Sequence, residues 1–159
     1  MFILAIDPGG GTGWVLHELG TKKYRRGCFL VTSSPYHAKL LDFLSETRPD
    51  VIVYEEFVYR VQYIGKGRKV ASPTINLMAK EYIGIIRLYA QQSGCKLVVR
   101  QPGQGFDFWK DDKLKGLGLY LRGQKKTNGA PHINDAMRHL LGYIVHTLNR
   151  RDYLMGLRR

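Results

Sequence analysis

Two short apolar segments, each followed at once by a carboxylate, constrain the fold of this chain most strongly. Residues 2–6 (FILAI) and 51–54 (VIVY) contain no charged residue, and the second run is rich in β-branched side chains. Such unbroken runs are typical of strands that are buried on both faces of a sheet. Asp7 follows the first run, and Glu55 and Glu56 follow the second. The pattern predicts two central strands that end in acidic residues.

Turn residues and hydrophobic spacing predict the other elements. Three consecutive glycines after Asp7 separate the first strand from a second at residues 14–16, and alternation at 22–32 predicts a third strand of an antiparallel meander. A short strand is expected at 96–100. Helical spacing predicts helices at 35–48, 72–91, 112–121 and 133–148. The order is β-β-β-α-β-α-β-α-α, in a single domain of residues 1–159 whose basic tail, about 149–159, is expected to fray.

The charge balance indicates a polyanionic partner. Lys and Arg number 25 against 13 Asp and Glu, a formal net charge of +12. Nucleic acid is the commonest intracellular polyanion, although an acidic membrane surface or solubility alone would also account for the charge. Cys28 and Cys95 lie far apart without a CxxC pair, which favours two free thiols in a reducing, intracellular compartment. The N-terminal segment fits neither a signal peptide nor a membrane span.

The acidic residues predict a metal site. Adjacent parallel strands would bring Asp7 and Glu55 close together, and the last helix could add Asp135, with His132 three residues earlier on the same face. Like charges so close repel each other, and a divalent cation relieves the repulsion. Oxygen ligands suit Mg²⁺ or Mn²⁺, and the imidazole makes Mn²⁺ somewhat more plausible. Taken singly, each residue also has an ordinary interpretation as a turn former, a strand-end charge or a first-turn helix acid.

Three motifs carry a resemblance to a known family. The segments DPGGGTGW at 7–14, VIVYEEF at 51–57 and HINDAMRH at 132–139 resemble the acidic motifs of the RuvC-type Holliday junction resolvases, particularly their bacteriophage members. The resemblance implies an α/β, RNase H-like fold, a five-stranded mixed β-sheet flanked by α-helices. It implies that the catalytic and metal-ligating residues are Asp7, Glu55, His132 and Asp135. The doubled glutamate leaves Glu56 as an alternative to the favoured Glu55.

The implied activity is resolution of Holliday junctions and related branched DNA by hydrolysis of phosphodiesters, with paired nicks and two divalent ions, Mg²⁺ or Mn²⁺, in each active site. A homodimer is implied too, and the wide apolar face of the helix at 72–91, with Tyr82 and Tyr89 beyond its core stripe, agrees with one. We expect no membrane and no organic cofactor, and a cytoplasmic location, in a host cell if the source is viral.

Basic and aromatic residues are the candidates for DNA contact. They lie in a basic loop at 59–71 and after the strand at 96–100, where phosphates could be gripped and an unpaired base stacked. The candidates are Tyr59, Arg60, Tyr63, Lys66, Arg68, Lys69, Lys110, Lys113 and Lys115. Two other functions stay open: a nuclease of this fold that cuts RNA/DNA hybrids or flaps, and a non-catalytic nucleic-acid binding module.

Overall fold

A five-stranded mixed sheet with helices on both faces organises the chain. The computed structural model describes residues 1–30, 36–57, 62–64, 67–69, 73–101, 103, 108–123 and 129–157. The strands of the main sheet are β1 (Phe2–Asp7), β2 (Gly11–Glu18), β3 (Tyr24–Leu30), β4 (Val51–Glu55) and β7 (Lys96–Arg100), and β5 (Gln62–Ile64) and β6 (Gly67–Lys69) form a separate hairpin. The helices are α1 (Tyr36–Thr47), α2 (Pro73–Ser93), α3 (Asp111–Gly116) and α4 (Ala130–Gly142).

Strand pairing brings the two acidic strand ends to one edge of the sheet. The strand order is β3-β2-β1-β4-β7, with β1 antiparallel to β2 and parallel to β4. Ile6 lies opposite Tyr54, so Asp7 and Glu55 are the next residues on neighbouring parallel strands. The predicted central strands and the five-stranded mixed sheet are therefore confirmed.

Burial on both faces explains the unbroken apolar runs of β1 and β4. Ile3 and Ala5 face α4, whereas Leu4 and Ile6 face the opposite core, which α1 and α2 cover. All four side chains are fully buried. Since alternate residues of a strand point to opposite faces, a strand covered on both sides has no position for a polar residue.

Two tyrosines of α2 belong to the core of the chain itself. Tyr82 is fully buried and Tyr89 is 8% exposed, and both pack in the cluster on the α1 side of the sheet. The prediction that they lie beyond the core stripe was wrong, because α1 packs against α2 and the ring of His37 contacts that of Tyr82. Among the described residues, no helix has the length and apolar character needed to cross a bilayer.

The predicted loop at 59–71 and the predicted helix at 112–121 differ from the structure. The loop contains the β5–β6 hairpin, and its remaining residues lie outside the described ones. The helix, α3, ends at Gly116, and the chain then turns through Gly118 at φ 69°. Beyond this turn, the Asn134 amide accepts a hydrogen bond from Leu121 N (2.9 Å) and donates one to Leu121 O (3.0 Å). This paired contact ties the segment to α4.

The last helix and the tail are also more ordered than the sequence indicated. Helix α4 begins at Ala130, because Pro131 fits a first helical turn, and it continues as a π-helical turn at Tyr143–Thr147. A 3₁₀ helix follows at Arg151–Leu157. Its Tyr153 hydroxyl accepts a hydrogen bond from Gly20 N (2.9 Å) and lies 2.8 Å from Nε2 of the buried His17. The tail, which the sequence analysis expected to fray, is thus helical over the part that the structure describes.

Gly13 of β2 allows α4 to approach the sheet closely. A Cβ at this position would lie 2.2 Å from the carbonyl carbon and oxygen of His132 and 2.5 Å from the nitrogen of Ile133. All three are backbone atoms, so no side chain can rotate away. The glycine of the Thr12-Gly13 pair thus sets the position of the first turn of α4.

We expect Gly13→Ala to destabilise the protein by at least about 2 kcal/mol, because the backbone of α4 must move to admit one methyl group. Gly84→Ala is the matched control, since no atom lies within 4 Å of a Cβ at this exposed position in α2. That substitution should stabilise the helix by about 0.5–1 kcal/mol. Urea unfolding measures both changes. A Gly13→Ala variant as stable as the wild type would contradict this account of the close approach.

Candidate active site

Helix α4 lays one stripe of side chains across the acidic edge of the sheet. His132 and His139 are seven residues apart, which is two helical turns, so they face the same way. His132 Nδ1 lies 2.9 Å from Asp7 Oδ2, and His139 Nε2 lies 3.0 Å from Glu55 Oε2. Each strand-end carboxylate is therefore paired with an imidazole of the same helix.

The glycine-rich turn after Asp7 is held by a buried threonine. The Thr12 hydroxyl donates to Gly9 O (3.1 Å) and accepts from Gly9 N (3.2 Å). Thr12 is fully buried, so these two hydrogen bonds satisfy its polar group. The turn returns the chain so that Gly13 pairs with Asp7 across β1 and β2. Asp7 is thereby fixed beside the first turn of α4.

Asp135 occupies the α4 stripe between the two histidines. Burial and, after it, the nearby negative charge of Asp7 raise the pKa of its carboxyl from 3.8 to about 6, against the opposing effect of the Arg138 guanidinium. The repulsion from Asp7 indicates that the two carboxylates share one site.

Arg138 ties the site to the segment that follows β7. Its guanidinium forms ion pairs with Asp135 and Asp111, and its Nε donates to Trp109 O at 2.9 Å. The Trp109 side chain is fully buried. The segment before α3 is therefore held against the polar stripe of α4.

The structure separates the two neighbouring glutamates. Glu55 reaches the edge where Asp7 lies, whereas Glu56 Oε2 accepts a hydrogen bond from Arg87 of α2 at 2.6 Å. Arg87 also donates from Nε to the Tyr54 hydroxyl at 3.0 Å. Successive side chains of an extended chain point to opposite sides, which explains the separation.

Three side chains present a compact set of ligand atoms. One oxygen each from Asp7 and Glu55 and one nitrogen from His139 lie within 4.8 Å of one another, which is close enough to hold a metal ion. Carboxylate oxygens suit both Mg²⁺ and Mn²⁺, and an added imidazole nitrogen favours Mn²⁺. The set includes His139, which the sequence analysis did not select. The signal was present in the HINDAMRH motif, as a second histidine two helical turns after His132.

The DNA-contact candidates fall into three groups. Lys110 is exposed, Lys113 Nζ lies 3.2 Å from the ring centre of Phe108, and Lys115 Nζ lies 3.2 Å from Asp112 Oδ1. These three lysines are in or next to α3. A second group, within the β5–β6 hairpin, is Tyr63, Arg68 and Lys69. The predictions for Tyr59, Arg60 and Lys66 lie outside the described residues.

Asp135 should make the stability of the metal-free protein depend on pH. Its pKa is raised in the folded state, so the folded protein binds the proton more tightly than the unfolded chain does. The stabilisation is complete below about pH 4 and is lost as the pH rises through about 6. We expect the free energy of unfolding of the wild type to fall by about 2–3 kcal/mol relative to that of Asp135→Asn from pH 4 to pH 7.

The measurement is urea unfolding in EDTA at several pH values, with both proteins at each pH. All other ionisable groups are the same in the two proteins, so the comparison isolates Asp135. If the free energies of unfolding of the two proteins changed with pH in parallel, ionisation of Asp135 would not destabilise the folded protein, and the prediction would be wrong.

Comparison with known proteins gives structural matches alone. No family model matches the sequence, and no curated protein matches it. The RuvC of Thermus thermophilus in complex with a Holliday junction substrate is similar in structure, with a TM-score of 0.59, 21% identity and coverage of 94% of this chain and 97% of that one. A second T. thermophilus RuvC structure has a TM-score of 0.53 and 20% identity, and the match covers 89% of this chain and 95% of that one. The fowlpox virus Holliday junction resolvase has a TM-score of 0.56 and 16% identity, and the match covers 90% of this chain and 97% of that one. Over nearly its whole described length, the chain has the RNase H-like fold of these resolvases.

Proposed function

We propose that this protein is a structure-selective DNA endonuclease that resolves Holliday junctions and related branched DNA by metal-dependent hydrolysis, introducing paired nicks. The observation that carries the proposal is the convergence of Asp7, Glu55 and the α4 stripe on one edge of an RNase H-like sheet. RuvC of T. thermophilus and the fowlpox virus Holliday junction resolvase are structurally similar to this chain.

The proposed metal ligands are Asp7, Glu55, His132 and Asp135, holding two divalent ions, Mg²⁺ or Mn²⁺. The mixed oxygen and nitrogen donors fit these ions. The pKa of Asp135 is raised mainly by burial and then by the negative charge of Asp7, and a bound cation would offset the repulsion between the two carboxylates. Divalent ions at such a site supply an activated water and stabilise the leaving oxygen. The ion pair of Glu56 with Arg87 favours Glu55 as the second strand-end ligand.

The residues of the chain fix this ligand set in place. Thr12 holds the turn that aims Asp7, and the imidazole of His132 contacts the Asp7 carboxylate. Arg138 orients Asp135 through their ion pair. These contacts hold the proposed ligand side chains in defined orientations.

The lysines around α3 are proposed phosphate contacts in a segment that is tied to α4. Arg138 bonds to both Trp109 and Asp111, so Lys110 lies within a segment anchored to the catalytic helix. Lys113 and Lys115 follow on α3. Salt-dependent binding is expected from contacts of this kind. The β5–β6 hairpin and its flanking residues, from Tyr59 to Lys69, remain the proposed contact to the junction itself.

The cleavage test compares substrates. With Mg²⁺ or Mn²⁺, the purified protein should cut a mobile four-way junction symmetrically, and it should leave linear duplex and RNA/DNA hybrid uncut. Asp7→Asn should cut none of them. Cleavage of the hybrid alone would indicate a ribonuclease H function instead. Tight binding to the junction without cleavage would indicate a non-catalytic binding module.

The paired glutamates provide a matched control for the same assay. Glu55→Gln should lower the rate of junction cleavage by about 100-fold or more, since a lost metal contact costs several kcal/mol of transition-state stabilisation. Glu56→Gln should cleave at close to the wild-type rate, because Glu56 is bonded to Arg87 on α2. Equal losses in the two variants would contradict the assignment of Glu55.

We also propose a homodimer, which would present two sites to the two symmetric strands of a junction. Leu88 of α2 is 53% exposed, and Val99 of β7, an edge strand of the sheet, is 44% exposed. Helix α2 packs against β7, so both apolar side chains belong to one side of the fold. A second copy of the chain would bury them.

Light scattering on a sizing column should give twice the chain mass of 18.2 kDa. Leu88→Asp should produce the monomer, whereas Leu41→Asp, a substitution at an exposed leucine of α1, should leave the dimer intact. A wild-type protein that stays at 18.2 kDa with and without DNA would overturn the dimer.

A further inference from the structure

His139 is a buried polar side chain at the candidate site that lies outside the ligand set proposed above. It is fully buried, and its Nε2 lies 3.0 Å from Glu55 Oε2. The residue is on the third turn of α4, so its placement follows from the same helix that carries His132 and Asp135. Burying an imidazole beside a carboxylate costs free energy, which the contact between His139 and Glu55 offsets.

Burial shows from which side His139 contacts Glu55. The side chains of Asp7, His132 and Glu55 are 16%, 15% and 20% exposed, whereas that of His139 is not exposed at all. The solvent-accessible side of the site is therefore formed by the first three residues. His139 contacts the Glu55 carboxylate from the interior of the fold.

We propose that His139 is a positioning residue that donates its Nε2–H to Glu55 Oε2 and fixes the carboxylate in the orientation in which it binds a divalent cation. A carboxylate accepts hydrogen bonds at both oxygens, so the bond to His139 leaves the other oxygen for a cation. Outer hydrogen bonds of this kind raise the affinity of a site because they orient the ligand before the metal arrives. This inference rests on the metal-dependent function proposed above.

Direct ligation by His139 is the competing arrangement, because its nitrogen belongs to the set of atoms within 4.8 Å. The two arrangements differ in what Nε2 carries. A positioning histidine keeps hydrogen on Nε2 and acts only through Glu55, whereas a ligand offers the Nε2 lone pair and acts without Glu55. Glutamine separates them, since its amide nitrogen reaches the Nε2 position and donates a hydrogen bond but binds metal weakly.

The experiment measures Mn²⁺ binding by calorimetry without DNA, on wild type, His139→Leu and His139→Gln. We expect His139→Leu to weaken Mn²⁺ binding by about 10–100-fold and His139→Gln to restore most of the affinity. Urea unfolding in EDTA checks that each variant is folded. If His139→Leu does not fold, His139→Asn replaces it, because the shorter amide reaches only the Nδ1 position.

A double-mutant cycle with Glu55→Gln completes the test. In that background, loss of His139 should have no further effect on Mn²⁺ affinity. Failure of glutamine to rescue, a loss that persists in the Glu55→Gln background, or normal Mn²⁺ binding by His139→Leu would each overturn the proposal. Because DNA is absent, a wild type that binds Mn²⁺ but cuts no junction would overturn the proposed function and leave this inference standing.

Discussion

Parallel pairing of β1 with β4 creates the electrostatic constraint to which the rest of the site responds. The register that places Ile6 opposite Tyr54 forces the carboxylates of Asp7 and Glu55 to the same sheet edge. Strands about 4.8 Å apart cannot separate these charges, so the compensation must come from another element. Helix α4 supplies it, with an imidazole against each carboxylate and the positive end of its dipole beside Asp7.

Helix α4 also belongs to the hydrophobic core, which couples the site to the stability of the fold. Ile133, Ala136, Met137 and Leu140 are buried against the sheet, and they alternate along the helix with the polar residues of the site. Displacing the helix would expose the core and separate both imidazole–carboxylate pairs at once. The absence of a side chain at Gly13 permits the close packing on which both depend.

The sequence was sufficient to predict the central strands and the acidic edge, because strand burial and strand ends depend on local patterns. Tyr82 was misassigned, since its burial depends on how α1 docks on α2, which no local pattern encodes. His139 was missed for a similar reason. Its spacing from His132 shows a shared helical face, but only the distance between α4 and β4 shows that the face meets Glu55.

Arg138 joins the segment before α3, which we propose contacts DNA, to the acidic edge, which we propose binds metal. One guanidinium bonds to the carboxylate of Asp135, to Asp111 and to the carbonyl of Trp109. A planar group with five fixed donors transmits geometry better than a flexible ammonium would, so the start of α3 cannot shift without disturbing Asp135. In the proposed nuclease, phosphates bound by Lys110 and its neighbours would thus be held at a constant offset from the metal ligands. Position along the DNA strand would then be set by the same residue that orients the carboxylate.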